Sequence, residues 1–333
     1  MFYILFLTTL SLAFPSSPHQ RYIRWVQQWD IVTHTEENYR FYAEMHHQIA
    51  EKVQERPGVI HPFRIGRTVE QRSIWGFRIR NPKSTPSAKI LVFAGLHPLE
   101  WVGMEVALDV LLTLAEHPPE NVEIVVVPVI NVDRRLVVEF DILNQEHKYR
   151  RVNSGGEDLN REFEIHRHEK NIWRHIFKDR YEISSAPLSQ PESQALDALV
   201  QEGFDAAVSL HCFGGYIYYP WAGVYKRPPD WRKLHEMALI MKKAQPGRHS
   251  YRAKQLSHWM FPFRPQATEL DHLYGKYGIN TFLIEMTRSG IVWHDRATWK
   301  DPFRLYNPRN PDRDIQRGKA SVLALIQLHN FSS

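Results

Sequence analysis

A single cysteine, Cys212, stands in a chain of 333 residues. One thiol excludes an intrachain disulfide and any cysteine-based zinc cluster, and it leaves the redox compartment open. No stretch reaches the ~20 consecutive apolar residues of a transmembrane helix, so no integral membrane segment is expected. Charge of one sign is not concentrated either. Lys and Arg number 42 against 37 Asp and Glu, a formal net charge of +5. The basic residues are scattered apart from Arg134-Arg135 and Lys148-Tyr149-Arg150-Arg151. Without a continuous basic face or a recognisable module, no nucleic-acid partner is expected. A few arginines remain available for anionic groups on a small ligand. Repeats, low-complexity tracts and linkers are absent, so one domain is expected.

What is present is ordinary globular composition, 43% hydrophobic and 24% charged, with 18 histidines. The N-terminus has two readings. Phe2 to Phe14 is apolar with Ser11 and Ala13 at small-residue positions, like the core and cleavage site of a signal peptide. Yet no Lys or Arg precedes it and Pro15 follows at once, which suits an N-terminal extension that packs on the domain. Residues 1–17 are therefore a signal peptide or an extension, and 18–333 the domain proper. The chain is secreted or periplasmic if Met1–Ala13 is a signal, and cytoplasmic otherwise.

Periodicity predicts helices over Glu36–Val53, Met104–Leu114, Pro191–Val200, Trp231–Lys243 and Asp314–Leu328. It predicts strands over Ser73–Arg80, Ile90–Ala94, Val122–Val132, Phe204–Leu210 and Ile279–Glu285, several continuously apolar. Alternating helices and apolar strands imply an α/β fold, a mixed and mostly parallel sheet sandwiched by helices. The polar stretches 134–160, 212–230 and 244–268 read as loops, where such folds carry their chemistry.

Four His-x-x-Glu pairs occur: His34/Glu37, His97/Glu100, His117/Glu120 and His166/Glu169. The spacing alone is therefore uninformative, and context must choose. His34/Glu37 lies in a polar lead-in, His117/Glu120 spans Pro118-Pro119, and His166/Glu169 sits beside Arg167 and Lys170. Only His97/Glu100 follows a buried strand and opens a helix, with Pro98 where a first turn tolerates proline. A catalytic zinc keeps three protein ligands and one open position. His211, at the end of the strand Phe204–Leu210 and before a glycine-rich turn, is the candidate third ligand; a hydrogen-bonded structural histidine is the alternative. Cys212 is a competing soft ligand, but alternation aims it away from the face that His211 uses.

Ordered motifs now carry a resemblance to the M14 family of zinc metallocarboxypeptidases, from about Glu36 to the C-terminal helix. His97-Pro-Leu-Glu100-Trp resembles the family's zinc motif. Pro128-Val-Ile-Asn-Val-Asp133 resembles its Asn-Pro-Asp-Gly strand end, with Val132 and Arg134 departing. Asp158-Leu-Asn-Arg-Glu-Phe163 is close to Asp-Leu-Asn-Arg-Asn-Phe, and Ser189-Gln-Pro-Glu192 to Ser-Glu-Pro-Glu. Leu210-His211 with Tyr219-Pro-Trp221 matches the third-ligand strand, and Phe282-Leu-Ile-Glu285 the strand of the catalytic glutamate.

The resemblance implies a carboxypeptidase-like catalytic domain over 18–333 that hydrolyses an amide next to a free carboxylate, with one Zn2+ held by His97, Glu100 and His211. It implies Asp158 as the partner that fixes the His97 tautomer, Glu285 as general base, and Arg150 as the cation for the developing oxyanion, with Arg151 its near competitor. Asn160 and Arg161 match the clamp for the substrate's terminal carboxylate. A structural ion pair between Glu285 and Arg288 is the competing use of that glutamate.

Two positions govern specificity. Phe263 stands where the family carries a mobile tyrosine, and Tyr251 could replace it only through a rearranged loop. Phe213 likewise stands where many relatives have tyrosine. Leu270 matches the pocket floor and favours an apolar or aromatic C-terminal side chain; a register one residue earlier puts Glu269 there and favours Lys or Arg.

The expected partner is a peptide or peptide-like molecule with a free carboxylate, and the expected state a monomer. The alternative is a zinc amidohydrolase of the same superfamily acting on cell-wall peptides, γ-glutamyl links or acyl amino acids. A non-catalytic binding module is disfavoured by the retained ligands, Glu285 and arginines. About 35 residues precede the first matched helix, too few for an independent core, so zymogen control by a pro-domain is not expected.

Overall fold

The computed structural model describes residues 17–34, 36, 38–170, 176, 182–259, 264–288, 298 and 300–330. The signal-peptide reading of Met1–Ala13 and the position Phe263 lie outside the described residues. Among the described residues eight strands form one sheet: β1 (Ile60–Arg67), β2 (Ser73–Ile79), β3 (Ala88–Ala94), β4 (Val122–Val127), β5 (Ala206–Cys212), β6 (Tyr216–Tyr219), β7 (Arg252–Gln255) and β8 (Asn280–Met286). Their order is β1-β2-β4-β3-β5-β8-β6-β7. The centre, β4-β3-β5-β8, is parallel. The pairs β1-β2, β2-β4 and β6-β8 are antiparallel, and β7 pairs parallel with β6 at the far edge.

The central strands are apolar on both faces because both faces are covered. Ile90, Val92, Ile124, Val126, Val208, Leu210, Phe282 and Ile284 join one core with the helices α1 (Pro18–Val26), α2 (Tyr42–Glu55) and α3 (Trp101–Glu116). Leu91, Phe93, Val125, Val127 and Ala207 face the other way, against α5 (Pro191–Val200). The remaining helices are α4 (Val132–Leu143), α6 (Trp231–Lys243), α7 (Leu256–Trp259), α8 (Glu269–Tyr277), α9 (Pro302–Tyr306) and α10 (Asp312–Asn330). No helix among the described residues is long and apolar enough to cross a membrane.

Several boundaries depart from the sequence expectation. The fourth strand ends at Val127, not Val132. Asn131 then caps α4 by accepting from Arg134 N, so a helix occupies the start of the expected 134–160 loop. α2 begins at Tyr42 rather than Glu36, where Glu44 reaches back to accept from Phe41 N at 2.6 Å. α1 was not foreseen, although Ser17, Pro18 and Gln20 form a complete capping box. The expected loops 212–230 and 244–268 hold β6, β7 and α7.

The site is positioned by two close approaches. Gly95 turns the chain out of β3 with φ +71; a Cβ there would lie 3.1 Å from Val129 Cα. Asn131 N donates to Gly95 O at 2.9 Å, tying the turn to the next crossover. Gly103 lets the first turn of α3 rest on β5, because a Cβ there would lie 2.8 Å from Leu210 O.

α1 and α2 meet over an aromatic cluster with a buried histidine inside it. His46 is 3% exposed, with Tyr42, Trp25 and Tyr22 rings around it. Tyr22 Oη lies 2.9 Å from its Nδ1. Burial, with a smaller push from His47, lowers the His46 pKa to about 3. The folded state therefore holds this ring neutral, and the unfolded chain binds its proton first. The associated stability is present above the ordinary pKa near 6.5 and is lost as pH falls towards 3, at up to about 1.4 kcal/mol per pH unit. Thermal melts of His46→Gln against the parent between pH 7 and 4 should show a flatter pH dependence in the variant. Parallel curves would remove His46 from the acid response.

Candidate metal centre and active-site cavity

The site lies at the C-terminal ends of the central parallel strands, where doubly covered sheets open a crevice. His97 and Glu100 come from the turn between β3 and α3, and His211 from the last turn of β5. His211 is in register with Glu285 on β8, so the two side chains share one face of the sheet. Leu210 and Cys212 point to the opposite face and belong to the main core, as alternation requires. Cys212 is buried and supplies only its backbone N–H, which donates to Glu100 Oε2 at 3.1 Å.

His97, Glu100 and His211 are each less than 5% exposed, and their ligand atoms lie within 4.8 Å of one another. His97 Nδ1 is 2.9 Å from Glu100 Oε1, His211 Nδ1 is 2.9 Å from Glu100 Oε2, and the two Nδ1 atoms are 3.2 Å apart. The far nitrogens are both engaged. His97 Nε2 lies 2.9 Å from Asp158 Oδ1. His211 Nε2 lies 3.0 Å from Glu269 Oε1 and 2.9 Å from Ser209 Oγ.

Carboxylates can only accept, so Nε2 carries the proton in each ring and Nδ1 presents a lone pair. Two lone pairs and a carboxylate then converge on one point, an arrangement that a cation reconciles. The separations approach the roughly 3.3 Å edge expected for ligands about 2.0–2.1 Å from a tetrahedral ion. This donor set fits a single zinc ion.

The surrounding charges agree. Burial opposes charge on His211, yet Glu100 and then Glu269 hold its pKa well above the histidine range. Burial also opposes ionisation of Glu100, and His97 and His211 outweigh it and lower its pKa. Asp158 is likewise held well below the carboxylate range, with burial outweighed by Arg151, His97 and Arg161. Its Oδ2 accepts from Arg151 Nε at 2.7 Å and its Oδ1 from Asn160 N at 2.9 Å, so one carboxylate orders a histidine, an arginine and a turn.

Glu285 is the exception. Its Oε2 is buried without a hydrogen-bond partner, while Arg288 is exposed. Burial, then the charge of Glu100, raises its pKa to about 8.

A cavity of about 470 Å³ opens on this group. Glu100, Glu285, Arg151, Asn160 and Arg161 line it. Tyr216, Tyr218, Leu256, Trp259 and Leu283 form an apolar wall, and Phe213 and Tyr306 also border it.

Three sequence-derived residues lie apart from this group. Arg150 points elsewhere: its Nε donates to Asp141 Oδ2 at 2.8 Å, and it does not border the cavity, whereas Arg151 does. Leu270 is fully buried behind the wall, against Tyr216, Tyr218, Leu256 and Leu283, rather than at the surface of the cavity. Tyr251 is committed to Asp314 Oδ1 at 2.8 Å and also lies outside it.

Glu269, the alternative pocket floor, does not border the cavity and instead holds His211. Nothing in spacing links residues 58 apart. Glu162, where the family has asparagine, is fully buried and accepts from Ser189 N at 2.7 Å and Gln190 N at 3.0 Å, so it serves the start of α5. Asp133 accepts from Thr68 Oγ1 at 2.7 Å and Glu70 N at 2.9 Å and is structural.

This sheet and this donor set define a class, the α/β proteins with one buried His-Glu-His metal centre at the strand ends. The chain belongs to the zinc carboxypeptidase family, whose model matches residues 45–303. It is similar to human carboxypeptidase A6, 26% identical over 199 residues, covering 54% of this chain and 44% of that protein. It is also similar to bovine carboxypeptidase O, 21% identical over 245 residues, covering 67% and 64%. The chain thus matches less than two thirds of the length of either relative. Among solved structures, bovine thrombin-activatable fibrinolysis inhibitor in complex with tick carboxypeptidase inhibitor superposes with a TM-score of 0.71 at 18% identity, covering 88% of this chain and 98% of that one. Carboxypeptidase A from Helicoverpa armigera gives 0.72 at 18% identity, covering 95% and 80%. At these identities the likeness is one of fold.

The role of Glu269 can be read directly. Glu269→Ala should weaken zinc binding about 10- to 100-fold, measured by chelator competition. It should leave side-chain preference unchanged, because Glu269 does not border the cavity. Unaltered zinc affinity with a changed preference would restore Glu269 to the pocket floor.

Proposed function

We propose that the chain is a zinc-dependent carboxypeptidase that removes an apolar or aromatic residue from a free peptide C-terminus. One observation carries this reading. The metal ligands His97 and Glu100, the orphaned carboxylate of Glu285 and the pair Asn160/Arg161 border the same cavity, with an apolar wall beside them.

When bound by His97, Glu100 and His211, zinc supplies Lewis acidity that polarises a carbonyl and makes water acidic near neutral pH. Glu285 takes the proton of the attacking water and passes it to the leaving amine. Its buried, unpaired oxygen suits a base that must exchange a proton without a standing partner. The positive charge of a bound metal would draw its raised pKa back down, towards the range in which a carboxylate is an effective base at neutral pH.

Arg151 rather than Arg150 supplies the cation beside the developing oxyanion. Its Nε is anchored on Asp158, which fixes the guanidinium without requiring it to reorganise during reaction. Asn160 and Arg161 receive the terminal carboxylate. Asn160 is fixed because its Oδ1 accepts from Glu269 N at 3.2 Å. Tyr216, Tyr218, Leu256, Trp259 and Leu283 receive the C-terminal side chain, and no acidic floor is available to a Lys or Arg.

The amidohydrolase alternative keeps the same metal chemistry but has less use for Arg161 in the cavity. On a library of peptides with free and amidated C-termini, the protein should release apolar and aromatic C-terminal residues from the free set. Arg161→Ala should raise KM for free-carboxylate substrates more than for amidated ones. Release of no C-terminal residue at all would overturn the carboxypeptidase reading in favour of another amide.

The two arginines separate cleanly. Arg151→Ala should lower kcat by about 10²–10³, and Arg150→Ala should leave kcat within a few-fold. The reverse ranking would return the oxyanion role to Arg150.

A further inference from the structure

The metal ligand Glu100 also occupies the N-cap position of α3, and its side chain makes no cap hydrogen bond. A helix start buried in this way leaves backbone N–H groups that need an acceptor. Here the acceptor comes from a residue far along the chain. Asn307 is fully buried, and its Oδ1 accepts from Trp101 N at 2.9 Å and Val102 N at 3.3 Å. Its Nδ2 donates to Leu99 O at 2.6 Å and Phe303 O at 3.0 Å. One amide thus grips the chain on both sides of Glu100, at Leu99 and at Trp101.

The surroundings make that grip rigid. The Trp101 ring packs edge-on against Phe303, with centroids 4.9 Å apart, and the Arg135 guanidinium lies 3.2 Å from the Trp101 ring centroid. The same short segment places Tyr306 on the cavity. Tyr39 Oη donates to Pro308 O at 2.6 Å, holding the segment from the other side.

We propose that Asn307 is a positioning residue for the metal centre. Its side-chain amide supplies the cap that Glu100 gives up, and it fixes the angle at which the Glu100 carboxylate meets His97 and His211. The proposal rests on the reading of the triad as a zinc site. It predicts that zinc affinity depends on a residue that touches neither the ion nor the substrate.

The test uses the full chain stripped of metal, with zinc affinity from chelator competition and melting temperature measured with and without zinc. Asn307→Leu removes both the acceptor and the donor. It should bind zinc about tenfold more weakly or worse, and the rise in melting temperature on adding zinc should shrink accordingly. Asn307→Asp keeps the acceptor for α3 but loses the donor to Leu99 O, and its affinity should fall between the two. Tyr39→Phe removes the hydroxyl that holds the same segment and keeps the ring that packs on Trp101 at the α3 start. It should lower the melting temperature equally with and without zinc and leave affinity unchanged.

Wild-type zinc affinity in folded Asn307→Leu would overturn the proposal, as would an equal loss of melting temperature in both metal states. If Asn307→Leu does not fold, wild-type affinity in Asn307→Asp overturns it. Absence of zinc binding by the parent chain would instead overturn the metal centre itself.

Discussion

The structure depends on the burial of negative charge at the ends of its central strands. Glu100, Asp158 and Glu269 are under 10% exposed, and Glu285 carries a buried, unpaired oxygen. Two guanidiniums, Arg151 and Arg161, border the same space. When both histidines turn their lone pairs to a metal, the four carboxylates and two guanidiniums leave two negative charges to be offset in a low-dielectric pocket. Carboxylates do not remain ionised in such a place without partners. A dication at the triad closes the balance. Glu285 is the one of these four carboxylates with no hydrogen-bonded partner, and burial pushes it towards the neutral form.

The sheet makes this concentration of charge reachable. β5 and β8 run parallel and in register, so His211 and Glu285 arrive side by side on one face, while Leu210, Cys212, Ile284 and Met286 anchor the other. Ser209, two residues before His211, falls on the same face and meets its far nitrogen. Asp158 and Glu269 then approach from outside the sheet, one for each histidine. The two rings are oriented by the same device, but the partners come from unrelated segments.

This division matches what could be read from the residues. His97, Glu100, His211 and Glu285 sit at the ends of apolar runs, and apolar runs are legible because burial on both faces leaves a composition signal. Asp158, Asn160 and Arg161 were legible through their ordered motif. Arg151 was harder. Nothing local tells which of two adjacent arginines turns inward, because that is decided by Asp141 on one side and Asp158 on the other. The strand expected to run to Val132 misses α4 because Val129, Ile130 and Val132 are apolar for a different reason. They are buried under the crossover, and Asn131 between them is the cap that starts the helix. The contacts of Glu269 with His211 and of Asn307 with the start of α3 have no signal in the sequence, since the partners are distant and only the fold brings them together.

The specificity question turns on the same accounting. A basic C-terminal residue would need an acidic group with a free oxygen facing the cavity. Glu269 has Oε1 committed to His211 and Ser209, and its Oε2, buried without a partner, does not border the cavity. Asp271 accepts from Ala222 N at 2.6 Å and Gly223 N at 2.8 Å, so its carboxylate is spent on the turn after β6. The acidic side chains that do border the cavity, Glu100 and Glu285, are a ligand of the metal centre and the proposed base. What is left for the side chain is an aromatic and aliphatic wall. Tyr216 and Tyr218 stack at 5.1 Å, and Trp259 packs 4.7 Å from Tyr216. Such a wall gains from the burial of apolar area at roughly 25 cal/mol per Å², and it would leave a buried ammonium or guanidinium unpaired. The proposed apolar preference rests on where the carboxylates are already engaged, and Leu270 supports the wall from behind.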